Sequence, residues 1–271
     1  FLFKKKMITT ILLICIALRV LRSLIFSSNE KFEKFFKSKT CGLVIAHPDD
    51  ETMFFSPWIR TFMRSSNVDR LFVLCLSNGD YDGLGKVREK EIVQAAVCLG
   101  LDGENVNVIR DSRLADGPNS VWKEEAIRGH VAKFVESNKI STLVTFDDFG
   151  VSGHVNHIHC SMGVRMTAPD TVSVWTLRST QSNSSSYVGY FLGLVHKYTG
   201  PLGILLDDIT SCLDYSSKPS ICVTNFEPLI IWNAMASHQS QFVWYRRLFI
   251  IFSHFVYTNT LVLDRASFPP R

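Results

Sequence analysis

The sequence has few of the features that mark disulfide-bonded, nucleic-acid-binding or disordered proteins. Its seven cysteines, at positions 15, 41, 75, 98, 160, 212 and 222, include no pair in a Cys-X-X-Cys arrangement. An odd, scattered set within apolar segments is typical of buried thiols in a reducing compartment and excludes a disulfide framework. The 29 basic residues form no arginine-rich patch and the net charge is only +4, which disfavours nucleic acid as a partner. Only 9 prolines and 15 glycines, with 46% hydrophobic residues, exclude a disordered or collagen-like chain.

Aromatic residues, by contrast, are abundant, and 20 of the 271 residues are phenylalanine. This excess indicates contact with apolar material beyond the core of the protein. Residues 187–206 are apolar, but a Gly-Pro pair would break a spanning helix, so we expect a helix at the membrane surface or packed on the domain. Residues 242–257 place aromatic side chains around Arg246 and Arg247. This pattern fits an interfacial membrane helix, with a buried C-terminal helix as the alternative.

We expect a membrane anchor over residues 1–28. Its uncharged core is residues 7–18, and the whole range reaches the length of a bilayer span, about 20 residues. Because Arg19 and Arg22 interrupt the range, a secretory signal peptide is the alternative, but no Ala-X-Ala cleavage site follows. If Met7 is the natural start, the basic residues all follow the helix, and the positive-inside rule places the rest of the protein in the cytosol.

Residues 41–180 alternate between short β-rich runs and amphipathic segments. The predicted strands are 43–46, 71–77, 106–109, 143–146 and 172–177. The predicted helices between them are 51–64, 86–99, 121–138 and 157–166. Apolar strands separated by helices predict an α/β fold with a Rossmann-like, mostly parallel sheet and helices on both faces. In such a sheet, ligands bind at the carboxyl ends of the strands.

Two polar loops follow predicted strands at that edge. His47, Asp49 and Asp50 come directly after the first strand, and His154 and His157 lie in a glycine-rich segment after the fourth. Helix capping would explain one of the aspartates, but not a histidine beside two of them. A catalytic zinc needs three nitrogen or oxygen ligands and one open position. The sequence therefore predicts a metal site for zinc or another divalent metal.

The same five residues suggest a reaction. His47, Asp50 and His157 satisfy the ligand count, which leaves Asp49 free to take a proton from a zinc-activated water. His154 would stabilise the oxyanion, and either His154 or protonated Asp49 would donate a proton to the leaving amine. One metal, one carboxylate base and one histidine acid predict a hydrolase of amides or esters.

The two loops also carry a family resemblance. Residues 46–51 (Ala-His-Pro-Asp-Asp-Glu) and 153–157 (Gly-His-Val-Asn-His) resemble the LmbE-like zinc deacetylase family. Residues 237–248 (Ser-His-X-Ser-Gln-X-X-Trp-X-Arg-Arg-Leu) and the membrane segment resemble its eukaryotic branch, the N-acetylglucosaminyl-phosphatidylinositol de-N-acetylases. The resemblance covers residues 40–263 and implies an LmbE-like fold with the metal and base roles given above.

The resemblance further implies removal of acetate from N-acetylglucosaminyl-phosphatidylinositol, the second step of glycosylphosphatidylinositol anchor synthesis. It implies a phosphatidylinositol glycolipid and membrane lipid as partners, in the endoplasmic reticulum membrane, with the catalytic domain facing the cytosol. The domain assignment is a membrane anchor over 1–28, a linker over 29–40, a deacetylase domain with membrane-associating C-terminal helices over 41–263, and a tail over 264–271.

Four more residues stand out. Arg88 and Asp116 are candidate substrate-binding residues, because an arginine at a helix entrance can hold a phosphate or sugar hydroxyls. An ion pair with Asp80, Asp82 or Glu91 is the alternative for Arg88. Asn156 departs from soluble family members, which carry aspartate there to orient the catalytic histidine, and His238 is interpreted as a packing residue. A soluble-type sugar or thiol-conjugate deacetylase and a non-catalytic, membrane-anchored binding module remain the alternative functions.

Overall fold

One seven-stranded sheet organises the protein in the computed structural model, which describes residues 10, 29–36, 39–65, 70–179 and 218–267. The strands are β1 (Cys41–Ile45), β2 (Leu71–Cys75), β3 (Val106–Val108), β4 (Thr142–Phe146), β5 (Ser173–Leu177), β6 (Ser220–Thr224) and β7 (Thr258–Arg265). Their order across the sheet is β3-β2-β1-β4-β5-β7-β6. Strand β1 therefore lies near the middle of the sheet, with β2 and β3 on one side of it and β4 to β7 on the other.

Strands β1 to β5 are parallel, as their continuous apolar sequences predict. Both central strands, β1 and β4, are buried along their whole length. The prediction of a Rossmann-like, mostly parallel sheet is confirmed. Strands β6 and β7 were not predicted, and β7 runs antiparallel to both β5 and β6. The alternation of buried and half-buried residues in β6 marks an edge strand, which gives a weaker apolar signal than a central one.

Nine α-helices lie among the described residues. They are α1 (Asn29–Phe36), α2 (Asp50–Met53), α3 (Ser56–Ser65), α4 (Gly85–Cys98), α5 (Glu124–Asn138), α6 (Gly150–Gly153), α7 (Val155–Thr167), α8 (Pro228–Ser237) and α9 (Trp244–Phe252). Because parallel crossovers are right-handed, α3 and α4 cover one face of the sheet while α5 and α7 cover the other. The prediction of helices on both faces is confirmed.

Two predicted elements differ from the observed ones. The single helix predicted over 51–64 is wrong, since α2 ends at Met53 and α3 begins at Ser56. Pro57 is the reason: it lacks an N–H group and fits the first turn of a new helix better than the interior of a long one. Residues 29–36, assigned to a linker, form α1.

Part of the aromatic excess belongs to the core after all. Phe32 and Phe36 of α1 are fully buried, and the Phe36 ring lies 5.3 Å from that of Trp175 and 5.8 Å from that of Trp58. Helix α1 thus packs against the sheet through the contact of Phe36 with Trp175 of β5. Cys41, Cys75 and Cys160 are buried free thiols, as predicted, and burial raises the pKa of the Cys160 thiol to about 12. Cys98, at the end of α4, is an exposed free thiol, so the prediction of a buried thiol is wrong for this residue.

The two predicted membrane segments at residues 1–28 and 187–206 lie outside the described residues, apart from Thr10. Within the described ranges, none of the helices combines the length and the hydrophobicity that a membrane crossing requires. Residues 242–257 contain α9, a short 3-10 helix over His254–Val256 and the approach to β7. Only Ile250 of α9 is buried, so the alternative of a buried helix covering the sheet is wrong.

The register of β7 decides where α9 lies. Leu177, the last residue of β5, pairs with Leu261 near the start of the antiparallel β7. The chain therefore enters β7 from the edge at which the parallel strands end. Asn259 fastens this entry, because its side chain accepts a hydrogen bond from Trp58 N at 3.0 Å and donates one to Phe54 O at 2.7 Å. Helix α9 consequently borders the loops that follow β1 and β4.

Candidate metal centre and active site

The two polar loops meet at the carboxyl edge of the sheet, as predicted. Residues 47–51 leave β1, and residues 147–157 leave the adjacent strand β4. Between these strands the chain order reverses, which is where open α/β sheets form ligand-binding crevices. The ring centroids of His47 and His157 lie 5.4 Å apart. The two loops also share a hydrogen-bond contact between His47 and Asn156, which are 109 positions apart in the sequence.

Asp50 is the carboxylate at the middle of this cluster. Its Oδ2 accepts hydrogen bonds from the backbone N–H groups of Ala46 at 3.1 Å and His47 at 2.8 Å. Its Oδ1 lies 3.1 Å from Nε2 of His157. Burial raises the pKa of Asp50, but the imidazoles of His157 and His47 and the backbone donors outweigh it and hold the pKa well below its usual range. Asp50 is therefore an anionic acceptor with one oxygen directed at a histidine.

His157 has the hydrogen-bonding pattern of a metal ligand. Its Nδ1 lies 3.1 Å from the carbonyl oxygen of Gly150, so Nδ1 carries the proton and Nε2 presents a lone pair to Asp50. In the neutral form of His157 two acceptor atoms face each other, and a proton on Nε2 or a metal cation between them would remove the repulsion. Ligand atoms of one tetrahedral zinc lie about 3.3 Å apart, given metal–ligand distances of about 2.0–2.2 Å. The separation of 3.1 Å between Asp50 and His157 fits such an ion.

The backbone before His157 is shaped by a glycine. Gly150 has φ +56°, and a Cβ atom added there would lie 2.7 Å from Cβ of His157. Only glycine allows this approach. The next residue, Val151, also has positive φ, 65°, and its N–H donates to Ser179 Oγ at 2.8 Å. The loop geometry that presents the Gly150 carbonyl to His157 is therefore built into the backbone.

His47 is held in a similar way on the other side of Asp50. Its Nε2 lies 3.1 Å from Asp116 Oδ1 and 3.2 Å from Asn156 Oδ1, two acceptors that place the proton on Nε2. Its Nδ1, 3.8 Å from Asp50 Oδ2, is then free to bind a metal. Burial lowers the pKa of His47, but the hydrogen bond to Asp116 and the surrounding carboxylates outweigh it, and the net pKa is raised. The carboxylate oxygen of Asp50 and the ring nitrogens of His47 and His157 therefore form a ligand set that fits a divalent cation.

His154 completes a group of three histidines. One ring nitrogen from each of His47, His154 and His157 lies within 4.8 Å of the others, so these three could also hold a metal ion. Nδ1 of His154 accepts a hydrogen bond from the backbone N–H of Asn156 at 3.3 Å, which leaves the proton on Nε2. Burial and the two neighbouring imidazoles lower the pKa of His154 to about 4. A neutral ring with Nε2–H is a hydrogen-bond donor rather than a ligand.

Asp49 has a strained backbone and a charged partner on α9. Its φ of 121° is in the region that disfavours residues other than glycine, at a cost on the order of 1–3 kcal/mol. Its N–H donates to Glu51 Oε2 at 3.0 Å, which helps to hold this conformation. Its Oδ2 lies 2.5 Å from Nη1 of Arg246 and 3.5 Å from Nη2 of Arg88. The carboxylate is buried beside the cluster without touching its histidines at hydrogen-bond distance.

Arg88 and Asp116 line the same cavity as the histidines, but both are engaged by the protein. Arg88 donates to the carbonyl oxygens of Pro48 at 2.7 Å and Gly79 at 2.9 Å. Asp116 binds His47, and its second oxygen lies 3.5 Å from Arg88. These contacts position the loops around the site. The substrate-binding roles predicted for these two residues remain predictions.

Two residues that sequence reasoning left aside take part in the site. His238, interpreted as a packing residue, is fully buried and its Nε2 lies 2.6 Å from Oε1 of Glu51. Burial lowers the pKa of His238, but the Glu51 carboxylate outweighs it and the net pKa is raised. Asn156 does not orient His154 through its side chain, because its Oδ1 faces His47. The signal for His238 was its place in the family-like segment 237–248.

The cavity around the cluster joins a polar end to an apolar end. Its volume is about 950 Å³. The polar end is lined by His47, Asp49, Asp50, Arg88, Asp116, His154 and His157. The other end is lined by α9 through Tyr245, Leu248, Phe249 and Phe252, with Arg246 between the two. The cavity can therefore hold a ligand with a polar reactive group and an apolar extension.

Known proteins resemble this chain over most of its length. The family model described as PIG-L, GlcNAc-PI de-N-acetylase, matches residues 43–168. A probable N-acetylglucosaminyl-phosphatidylinositol de-N-acetylase of Dictyostelium discoideum is 33% identical over 87% of this chain and 97% of its own. A probable enzyme of the same name from Schizosaccharomyces pombe is 37% identical over 83% of this chain and 86% of its own. A teicoplanin-pathway deacetylase shares the fold, with a TM-score of 0.53 and 12% identity over 82% of this chain and 96% of its own.

Proposed function

The chain belongs to the GlcNAc-PI de-N-acetylase family, and we propose from this membership and from the site that it hydrolyses the acetamide of N-acetylglucosaminyl-phosphatidylinositol. The products are acetate and glucosaminyl-phosphatidylinositol. The observation that carries the proposal is the donor set around Asp50, which lies at the polar end of a cavity whose other end is apolar. An N-acetyl sugar attached to a lipid likewise has a polar end, which carries the reacting acetamide, and an apolar end.

His47, Asp50 and His157 are the residues that would hold zinc or another divalent metal. A bound ion of this kind would polarise the acetamide carbonyl and lower the pKa of a water molecule beside it. Asp116 and Asn156 orient His47, and the carbonyl of Gly150 orients His157. These outer contacts fix which nitrogen of each ring is available, as the partners of metal-binding histidines usually do.

Asp49 is the general base in this proposal. It accepts a proton from the attacking water, and it returns that proton to the amine nitrogen when the C–N bond breaks. We assign the second transfer to Asp49 because burial and the neighbouring imidazoles lower the pKa of His154, which disfavours the imidazolium form that a general acid requires. His154 acts through its Nε2–H group, which donates a hydrogen bond to the carbonyl oxygen as negative charge develops there.

The lipid end of the substrate requires an apolar contact, and α9 supports one. Trp244 is 71% exposed, and Tyr245, Leu248, Ile251 and Phe252 are also exposed. Arg247, on the same helix, lies with its guanidinium 4.9 Å from the ring of Phe242. Aromatic and aliphatic side chains beside an arginine are typical of a helix at the lipid interface. We infer that α9 contacts the bilayer, so that the glycolipid enters the cavity from the membrane.

Acetate release tests the function directly. The full-length protein in detergent micelles should release acetate from N-acetylglucosaminyl-phosphatidylinositol, and a chelator should abolish the release until zinc is added back. A parallel assay with N-acetylglucosamine alone distinguishes a glycolipid enzyme from a general sugar deacetylase. The proposal would be contradicted by a metal-loaded, folded protein that leaves the glycolipid intact.

The membrane topology and the location in the endoplasmic reticulum are part of the same proposal. The support for them is the apolar N-terminal segment, the buried free thiols and the substrate itself, which is a membrane lipid. A protease-protection assay on isolated microsomes checks the expected orientation, because a cytosol-facing domain should be digested without detergent.

A further inference from the structure

Arg246 links the general base to the lipid-facing helix. Its Nη1 lies 2.5 Å from Asp49 Oδ2 and donates to Gln241 Oε1 at 2.7 Å. It is carried by α9, the helix whose neighbouring residues Tyr245 and Phe249 line the apolar end of the cavity. Its guanidinium therefore stands between the acetamide site and the side from which a lipid would come.

Among the described residues that line the cavity, aspartates outnumber arginines, and three histidines lie beside them. Asp49, Asp50, Asp82 and Asp116 line it, and Arg88 and Arg246 are the two arginines among the described lining residues. Arg88 has both terminal nitrogens on backbone carbonyls, and its side chain is 8% exposed. Arg246 is 19% exposed, and every hydrogen bond that it makes to a described residue uses Nη1.

This leaves one edge of the Arg246 guanidinium, Nε and Nη2, for a ligand. A guanidinium presents five donors in a planar fork, and its favoured anionic partners are carboxylates and phosphates. The proposed substrate carries a phosphodiester between its inositol ring and its lipid. An anion placed beside these carboxylates needs a cation, and the guanidinium of Arg246, which also lines the cavity, supplies one.

We propose that Arg246 is the residue that recognises the phosphodiester of the glycolipid. Its Nε–Nη2 edge binds the phosphate oxygens while Nη1 stays on Asp49, so that phosphate binding and the position of the general base are coupled. This inference rests on the proposed function. It makes Arg246 a specificity-determining residue that acts at the phosphate and positions Asp49.

Two substrates distinguish recognition of the phosphodiester by Arg246 from a general effect of this residue on activity. The first is N-acetylglucosaminyl-phosphatidylinositol, and the second has the same sugar and lipid chains joined by a neutral ether in place of the phosphodiester. The full-length protein should prefer the first in kcat/KM. Arg246→Ala should lower that preference about 10- to 100-fold, the usual effect of losing a charged hydrogen bond. Arg246→Gln should show the same loss, and Arg246→Lys should keep part of the preference because it retains the charge without the fork.

Arg128→Ala is the matched control, because Arg128 also pairs with a carboxylate, Glu124, but on the outer surface of α5. It should retain both activity and preference. Equal kcat/KM of the unmodified protein on the two substrates would overturn the inference, and so would an unchanged preference in both Arg246→Ala and Arg246→Gln. Neither result contradicts the proposed function, which fails only if the unmodified, metal-loaded protein releases no acetate.

Discussion

Two regions of the molecule build the site in different ways. Among the described residues, the parallel region, residues 41–179, supplies the hydrogen-bond and ion-pair partners of Asp50 and of the histidines around it. The antiparallel region, residues 218–267, supplies none of these, but it contributes Arg246 to Asp49 and His238 to Glu51. The parallel region thus supplies the proposed metal ligands. The antiparallel region supplies a charged partner for Asp49, the proposed general base, and the apolar side chains of α9 that line the cavity. We therefore expect changes in the two regions to have effects of different kinds.

The largest effect should come from the general base. Asp49→Asn removes the proton acceptor but should leave the metal in place, because Asp49 is not among the residues that face the metal position. Asparagine also tolerates the positive φ of this residue. We expect the rate of acetate release to fall about 10²–10⁴-fold at unchanged zinc content. Activity and metal analysis on the same preparation measure both.

Asp148→Asn is the control for this variant, because Asp148 lies in the second loop but is exposed and pairs with Arg165. Its activity should stay near normal. A similar loss of rate in both variants would show that loop structure, not proton transfer, is being measured. Loss of zinc from Asp49→Asn would instead assign Asp49 to the metal.

The next largest effect should be a loss of stability when the contact between His238 and Glu51, which joins the two regions, is removed. His238 and Glu51 are both buried, and Glu51 also receives the N–H of Asp49. His238→Ala leaves a carboxylate buried without its partner, and we expect a loss of about 3–5 kcal/mol in the free energy of unfolding. Urea denaturation measures it. A lower kcat at temperatures where the variant is folded would show that the contact also positions Asp49.

His130→Ala provides the comparison within one region. His130 lies 2.9 Å from Asp111, but the pair is partly exposed and joins two elements of the parallel region. The expected loss is about 1 kcal/mol or less, because solvent screens such a pair. If His130→Ala and His238→Ala lower the free energy of unfolding equally, the contact between the regions contributes no more to stability than a partly exposed pair within one region.

The smallest effect should come from the exposed face of α9. Trp244→Ser combined with Ile251→Ser removes two exposed apolar side chains that we place in the bilayer. The apparent KM for glycolipid in vesicles should rise about tenfold, which corresponds to about 1.4 kcal/mol, while kcat at saturation stays the same. Met166→Ser, which removes an exposed apolar side chain from α7, should not change either value. Equal KM values for the two variants would argue against a lipid contact at α9.

The sequence predicted the parallel region well because its signals are local. Continuous apolar runs identified β1 to β5, and polar residues directly after β1 and β4 identified both loops of the site. The carboxyl ends of parallel strands share one edge, so the approach of His47 to His157 followed from the fold class. The break before α3 was missed, although Pro57 marks it, because the apolar periodicity continues through it.

The antiparallel region was predicted poorly because its contacts are distant in the chain. The partners of Arg246 and His238 lie 197 and 187 residues away in sequence, and no local pattern specifies such a pairing. The same holds for Asn259, which joins β7 to Phe54 before α3 and to Trp58 within α3, in both cases across more than 200 positions.

The sequence by itself determined the five parallel strands, the two loops and the side chains that suit a metal, because hydrophobic period and residue chemistry are properties of short segments. The tertiary structure alone decided which nitrogen of each histidine is free and which residues hold Asp49 in its strained conformation. It also decided that α9 borders the cavity. These features depend on hydrogen bonds between residues far apart in the chain, and they exist only once the antiparallel strand β7 has returned along β5 and brought α9 to the carboxyl edge of the sheet.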